Sequence, residues 1–119
     1  MEFGAMVRLV SPDIGKEMDA LLPDGRVSVI CGNYESDYMD GVILAVAATN
    51  DREVNRRVGL DAREAGVLAS VADCSEECGF YFPAIGRTGK FTAGMVSNDG
   101  DHAGLAKAVG KLRKEMRSW

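Results

Sequence analysis

Three short polar segments hold the side chains of this sequence best suited to chemistry: Ser11-Pro12-Asp13, Thr49-Asn50-Asp51 and Asp73-Cys74-Ser75. Each follows a predicted strand, and ligands of open α/β sheets bind outside the carboxyl ends of the strands. A polar or acidic group after the second strand of a dinucleotide-binding fold commonly meets ribose hydroxyls. Ser11 or Asp13 would serve equally well as a helix N-cap, so both interpretations stay open.

Asp73 is the candidate for acid–base chemistry. It follows a predicted buried strand, caps no periodic helix and precedes an aromatic segment. A carboxylate at such a position could act as a general base or bind a metal. The nearby Cys74 and Cys78 lack the two-residue spacing of zinc ribbons, and they are more simply explained as buried or incidental thiols.

The elements that must position these segments alternate between strand and helix, which predicts a parallel sheet with right-handed crossovers. Strands are predicted at 6–10, 26–30, 42–48 and 67–71. The unbroken apolar run 42–48 is typical of a strand covered by helices on both faces.

Two helices are predicted between these strands. The spacing of Ile14, Met18 and Leu21 predicts a helix that Pro23-Asp24-Gly25 closes. A capping box of Asn50 and Glu53 predicts a second helix that ends at Gly66. Its inward positions are Val54, Val58, Ala62 and Ala65.

The last third of the chain has a different pattern. Segments 80–85 and 90–96 predict a hairpin that turns at Gly86-Arg87-Thr88-Gly89, followed by an amphipathic helix over 103–116. This helix buries Leu105, Val109, Leu112 and Met116, and its basic side chains are explained as a solvated face. The three aromatics Phe80-Tyr81-Phe82 exceed what a small hairpin can bury, which favours a subunit interface or a ligand surface.

Composition excludes several classes of protein. The 119 residues include 14 basic and 18 acidic side chains, a net charge of −4 that argues against a general nucleic-acid binder. No apolar run is long enough for a transmembrane helix, and no signal peptide is visible. Three cysteines, an odd number, suit a reducing compartment, so we expect a cytoplasmic protein with one domain's worth of core.

Two combinations of residues resemble a known family. They are the run 44–51 (LAVAATND) followed by 54–58 (VNRRV), and 71–73 (VAD) followed by 80–84 (FYFPA). Together they resemble the precorrin-2 dehydrogenase and sirohydrochlorin ferrochelatase family, the N-terminal module of siroheme synthase, over residues 3–116.

This resemblance implies a Rossmann-like parallel sheet followed by a hairpin dimerisation region and a C-terminal helix. Residues 1–78 would form the NAD-binding part and residues 79–119 the remainder. The implied reaction is the NAD-dependent oxidation of precorrin-2 to sirohydrochlorin, with ferrous iron insertion in bifunctional members. The implied partners are the tetrapyrrole substrate and a second copy of the chain, with no nucleic acid and no membrane.

The resemblance also assigns site residues. Asp73 falls on the family's catalytic aspartate and is also a candidate metal ligand. The implied cofactor-binding residues lie in two segments, Ser11, Pro12, Asp13 and Ala48, Thr49, Asn50. From charge alone, Arg87 and Lys90 are candidates to meet substrate carboxylates.

The sequence departs from the family at its beginning. The fourteen glycines form no G-x-G-x-x-G turn after a strand. Residues 1–5 resemble the last turn of the family's first helix, so we expect the family's first strand, glycine-rich turn and most of that helix to be absent. We expect an N-terminally truncated sheet and weakened NAD affinity. His102-Ala103 also replaces the family's Ser-Pro. A noncatalytic tetrapyrrole-binding or dimerisation module is therefore the alternative.

Overall fold

The computed structural model describes residues 4–20 and 23–119. The chain divides into two compact units, Met1–Glu77 and Cys78–Trp119, called the first and second unit below. The assignment of an NAD-binding part and a dimerisation region to the two sides of residue 78 stays a prediction.

Two pairs of parallel strands form the sheets of the first unit. Strand β1 (Val7–Ser11) pairs with β2 (Val27–Cys31), and β3 (Leu44–Ala47) pairs with β4 (Leu68–Val71). Each pair is a separate two-stranded sheet. The four predicted strands, the parallel direction within each pair and the α/β class are confirmed. The prediction of one continuous parallel sheet is wrong for the described residues, because no strand of one pair is hydrogen-bonded to a strand of the other.

Helix α1 (Arg52–Glu64) connects β3 to β4 and begins one residue later than predicted. Its N-cap is Asp51, whose carboxylate accepts the backbone N–H groups of Glu53 and Val54. The predicted capping box on Asn50 is therefore wrong. The predicted stop is confirmed, because Gly66 has a φ of +68°, which a residue with a Cβ rarely adopts.

Helix α1 buries one stripe against the β3–β4 sheet. Val58 and Ala62 are buried as predicted. Ala65 is exposed, contrary to the prediction, because the helix ends at Glu64 and Ala65 is its C-cap. A polar residue, Asn55, lies on the same stripe three residues before Val58 and is completely buried.

The prediction that β3 is covered on both faces is wrong for the described residues. Ala47 is buried on the face that packs against α1, whereas Leu44 and Val46 are about half exposed. Successive side chains of a strand point to opposite faces, and the described part of the first unit places one α-helix against this sheet. The apolar run therefore has a covered face and an uncovered face.

The helix predicted around Ile14 and Met18 is also wrong. A 3₁₀ helix spans Lys16–Ala20, and the N–H of Met18 donates to the carbonyl of Gly15. Its three-residue repeat does not bring positions 14 and 18 onto one face, and none of its residues is buried. The third predicted position, Leu21, lies outside the described residues.

The second unit contains an antiparallel hairpin and a helix, as predicted. Strand β5 (Ala84–Arg87) pairs with β6 (Thr92–Met95), and Arg87 lies opposite Thr92. The turn spans 88–91 and not 86–89, because Thr88 and Phe91 close it through their backbone groups, 2.8 Å apart. The aromatic segment 80–82 consequently precedes the strand and is not part of it.

Helix α2 (His102–Met116) packs against β5. Val109 and Met116 are buried, and Leu105 and Leu112 are partly buried, which confirms the predicted apolar face. A Cβ at Gly86 would lie 3.4 Å from Val109 Cγ1, an ordinary van der Waals contact, so the helix packs directly against this position of the strand. No helix among residues 4–20 and 23–119 is long and apolar enough to cross a membrane.

Candidate functional site

The buried amide of Asn55 joins the carboxyl ends of β3 and β4. Its Oδ1 accepts hydrogen bonds from the Thr49 N–H at 3.0 Å and the Thr49 hydroxyl at 2.7 Å. Its Nδ2 donates to the Thr49 carbonyl and to Asp73 Oδ2, both at 2.9 Å. A side-chain amide has two acceptor positions and two donors, so all four are used. Thr49 and Asp73, both predicted site residues, are thus brought together.

The second carboxylate oxygen of Asp73 pairs with Arg52. The Arg52 guanidinium contacts Asp73 Oδ1 with Nη1 and Glu77 Oε2 with Nη2. The hydrogen bond from Arg52 to Glu77 raises the pKa of Arg52. Because the Asp73 side chain is still 38% exposed, its carboxylate is fixed at both oxygens and remains accessible from solvent.

Local sequence explains why these groups meet. Arg52 is the first residue of α1 and Asn55 the fourth, and residues three apart lie on neighbouring positions of one helix face. Asp73 follows β4 by two residues, and the N–H of Ala72 donates to the Ala47 carbonyl, which extends the pairing beside the start of α1. The positive end of the α1 dipole favours a carboxylate there.

The Ser11-Pro12-Asp13 segment forms a tight turn at the carboxyl end of β1. Ser11 Oγ donates to the Asp13 carbonyl at 2.7 Å and accepts the Asp13 N–H at 3.3 Å. The N–H of Gly32 donates to the Ser11 carbonyl, which ties the turn to the end of β2. Pro12 and Asp13 are exposed. This turn belongs to the β1–β2 sheet and Asp73 to the β3–β4 sheet.

The remaining predicted cofactor residues, Ala48 and Asn50, are exposed on either side of Thr49. Thr49 itself is held by Asn55 and also accepts the Asp51 N–H through its hydroxyl at 3.2 Å. In the loop between β3 and α1, hydrogen bonds therefore fix Thr49, and Ala48 and Asn50 on either side of it are exposed.

Three residues of the site were not singled out as site residues from the sequence: Arg52, Asn55 and Glu77. The sequence pattern could identify Asn55, because it is a polar residue on the apolar helical stripe of Val58 and Ala62. A polar group buried there must form hydrogen bonds with neighbouring residues. No sequence pattern identifies Arg52 or Glu77 as site residues, because charged residues at helix ends are ordinarily exposed to solvent.

The chemistry of these groups suits a dinucleotide in part. The exposed carboxylate of Asp13 and the hydroxyl of Ser11 are acceptors for ribose hydroxyls. No G-x-G-x-x-G loop follows any of the four strands of the first unit in the sequence, so the described residues offer no glycine-rich pyrophosphate cradle.

The metal-binding role of Asp73 stays a prediction. Within the two described ranges no three His, Cys, Asp or Glu side chains are grouped to hold a metal ion.

Comparison with known proteins finds relatives that are named for siroheme biosynthesis. The model of an NAD(P)-binding family matches residues 1–84. "Probable multifunctional siroheme biosynthesis protein HemA" of Ruminiclostridium josui is 44% identical over 115 residues, which cover 96% of this chain and 22% of that protein. The siroheme synthase of Azotobacter vinelandii is 36% identical over 117 residues, covering 98% of this chain and 24% of that protein. The chain thus spans less than a quarter of the length of these relatives.

A solved structure gives the fold. The precorrin-2 dehydrogenase SirC aligns with a TM-score of 0.74 over 96% of this chain and 56% of that chain, at 19% sequence identity. The resemblance to siroheme synthases drawn from the sequence is confirmed. Because the family match covers more than half of its residues, the chain belongs to this NAD(P)-binding family and has a Rossmann-like fold.

Proposed function

We propose that the chain acts in siroheme biosynthesis, where it binds NAD(P) and oxidises precorrin-2 to sirohydrochlorin with Asp73 as the proton acceptor. The observation that carries the proposal is the half-exposed Asp73 carboxylate, fixed by Asn55 and Arg52 beside Thr49 at the strand ends. Relatives named siroheme synthase support the pathway, and the family match supports the cofactor.

The reaction removes one hydride and one proton from precorrin-2. NAD⁺, when bound, supplies the hydride acceptor, so that precorrin-2 and NAD⁺ give sirohydrochlorin, NADH and one proton. The chain must provide a base within reach of the substrate C–H or N–H that loses the proton. Asp73 suits this role because its carboxylate is held in place by Asn55 and Arg52 and is accessible from solvent.

The cofactor would lie along the carboxyl ends of the strands. Ser11, Pro12 and Asp13 would meet its ribose, with the Asp13 carboxylate accepting from a hydroxyl. Ala48, Thr49 and Asn50 would lie against the part of the cofactor nearest Asp73. The bonds of Asn55 to Thr49 hold this loop in one conformation and so favour binding.

The second unit would supply a dimer interface and basic groups. Tyr81 and Phe82 are 62% and 59% exposed, which is unusual for large apolar side chains and favours a second copy as partner. The role of Arg87 and Lys90 toward substrate carboxylates stays a prediction from charge. Gel filtration of the chain tests the dimer, and elution as a monomer at micromolar concentration contradicts it.

Two measurements test the function. Millimolar NAD⁺ should raise the melting temperature, because a ligand that binds only the native state stabilises it. Asp73→Ala should abolish precorrin-2 oxidation while the fold survives, and Asp37→Ala, which removes an exposed carboxylate elsewhere in the first unit, is the matched control.

Three results would separate the alternatives. Oxidation retained by Asp73→Ala rejects Asp73 as the base. Sirohydrochlorin binding without oxidation or an NAD⁺ effect identifies a noncatalytic tetrapyrrole-binding module. Iron insertion into sirohydrochlorin without NAD⁺ identifies a chelatase, with ferrous iron as substrate.

A further inference from the structure

Asn55 is the one buried polar residue in the described core. A side-chain amide inside a helix stripe costs free energy unless its hydrogen bonds are made, whereas an apolar residue would pack there without such a requirement. The four bonds of Asn55 go to two residues only, Thr49 and Asp73. The role of Asn55 therefore lies in its effect on the positions of Thr49 and Asp73.

We propose that Asn55 is a positioning residue that fixes the Asp73 carboxylate and the Thr49 loop to each other, so that base and cofactor loop keep one geometry. The catalytic meaning of this inference rests on the proposed function. The geometric part does not, since it concerns only the chain's own atoms.

The bond to Asp73 distinguishes positioning from simple core packing. Three of the four bonds join Asn55 to Thr49 and would suffice to tie α1 to the end of β3. The fourth leaves the core to reach a carboxylate that is 38% exposed and could be hydrated by water. Asp73 does not need that bond for solvation, so the bond sets its direction.

Arg52 completes the restraint. It holds Oδ1 of Asp73 while Asn55 holds Oδ2, so the carboxylate plane is set from two sides by residues of one helix. Arg52 is 41% exposed and can be displaced by water or substrate, whereas Asn55 is fully buried. The permanent part of the restraint is therefore the Asn55 amide.

The substitution Asn55→Asp removes both amide donors and keeps the acceptor. The only bond to Asp73 is lost and a second carboxylate is placed beside it, whereas two of the three bonds to Thr49, from its N–H and its hydroxyl, can remain. We expect kcat per folded molecule to fall by about tenfold or more, while KM for NAD⁺ changes by less than about threefold. Asn55→Ala loses the contacts to both partners, so it should lower kcat and raise KM for NAD⁺.

Val58→Ala is the matched control. It removes buried volume from the same helix stripe and destabilises the fold, but Val58 lies about one helical turn after Asn55 and takes no part in the hydrogen bonds to Thr49 and Asp73. Its kcat per folded molecule should equal that of the unmodified chain. If Val58→Ala lowers kcat per folded molecule as much as Asn55→Asp does, the effect is one of stability and the positioning role is rejected.

A spectroscopic measurement makes the geometric part independent of activity. The two side-chain N–H protons of Asn55 can be followed by nuclear magnetic resonance in the unmodified chain and in Asp73→Ala. One of them donates to Asp73 and the other to Thr49, so Asp73→Ala should shift one resonance and speed its exchange with water. Unchanged Asn55 side-chain resonances would overturn the proposal, even in a chain that oxidises precorrin-2.

The two hypotheses can thus fail separately. If the unmodified chain does not oxidise precorrin-2, the proposed function fails, and the resonance shift alone decides whether Asn55 holds Asp73. If the chain is active and Asn55→Asp keeps full kcat, the positioning role fails while the function stands.

Discussion

Arg52 bridges Asp73 and Glu77, so the first residue of α1 is paired with two carboxylates that follow β4. Each of these side chains is about one third or more exposed. Exposed ion pairs contribute little to stability, so the pairing concerns the placement of Asp73 more than the strength of the fold.

Arg52→Gln should therefore affect turnover more than stability. We expect a free energy of unfolding within about 1 kcal/mol of the unmodified value, because the pairs are solvent-screened. The rate of precorrin-2 oxidation should fall by about three- to tenfold, since one of two restraints on Asp73 is lost. Arg56→Gln, on the exposed side of the same helix, is the control, and an equal rate loss there would contradict the assignment.

Asp51→Ala tests the observed start of α1. The Asp51 carboxylate accepts two backbone N–H groups, and loss of such a cap typically costs about 1 kcal/mol. Asn50→Ala should change the free energy of unfolding by less than about 0.5 kcal/mol, since Asn50 is exposed and is not the cap. Urea unfolding of both variants measures these two losses of unfolding free energy. A larger loss for Asn50→Ala than for Asp51→Ala would show that Asn50 is the cap.

Tyr34 connects the polar segment before β3 to α1. Its hydroxyl donates to Asp61 Oδ2 at 2.8 Å, and Arg57 lies over its ring. Tyr34→Phe should cost about 1 kcal/mol of unfolding free energy, the usual net value of one hydrogen bond. Tyr38→Phe is the control, because the Tyr38 hydroxyl has no hydrogen-bond partner within the described residues, and an equal loss in both variants would count against this bond.

The same residue predicts a pH dependence. Burial, together with the hydrogen bond to Asp61, raises the pKa of Tyr34 above its ordinary value of 10. The folded state thus favours the neutral phenol, so this stabilisation is complete below pH 10 and is lost as the pH rises further. Unfolding measured from pH 8 to 11 should show a smaller decline for Tyr34→Phe. An identical decline would exclude Tyr34 as its source.

The ion pair of Asp24 predicts that the free energy of unfolding depends on pH in the acidic range. Its side-chain hydrogen bond with Arg26, reinforced by the Arg26 N–H, lowers the pKa of Asp24 to about 2. The stabilisation is present above the ordinary value of 3.8 and is lost as the pH falls through 2. Asp24→Asn should weaken the fold at pH 6 more than at pH 2. Equal effects at both pH values would show that the charge of Asp24 does not matter.

Strand positions could be predicted from the sequence because their signal is local. The runs that became β1 to β4 are apolar and bounded by polar or turn residues. The start of the turn after β5 could not be predicted from glycine positions, because the contact between Thr88 and Phe91 sets it and either residue alone carries no such signal. The 3₁₀ helix at Lys16–Ala20 shows the same limit, as helical spacing without burial does not select an α-helix.

The site was predicted in part for a related reason. Asp73 and Thr49 were recognised by their place after strands, a rule of α/β topology. The link between them could not be predicted, because Asn55 acts through the crossing of α1 with the ends of two strands, which periodicity does not specify.

The uncovered face of the β3–β4 sheet affects how this protein can be assayed. Leu44, Val46 and Leu68 are about half exposed there. Dyes that fluoresce on apolar surfaces bind such side chains in a folded protein. A thermal melt followed with such a dye would therefore show high fluorescence before unfolding starts. Circular dichroism avoids that background. The fluorescence of the dye bound to the folded protein also reports on binding, because a molecule that covers this face would lower it without any unfolding.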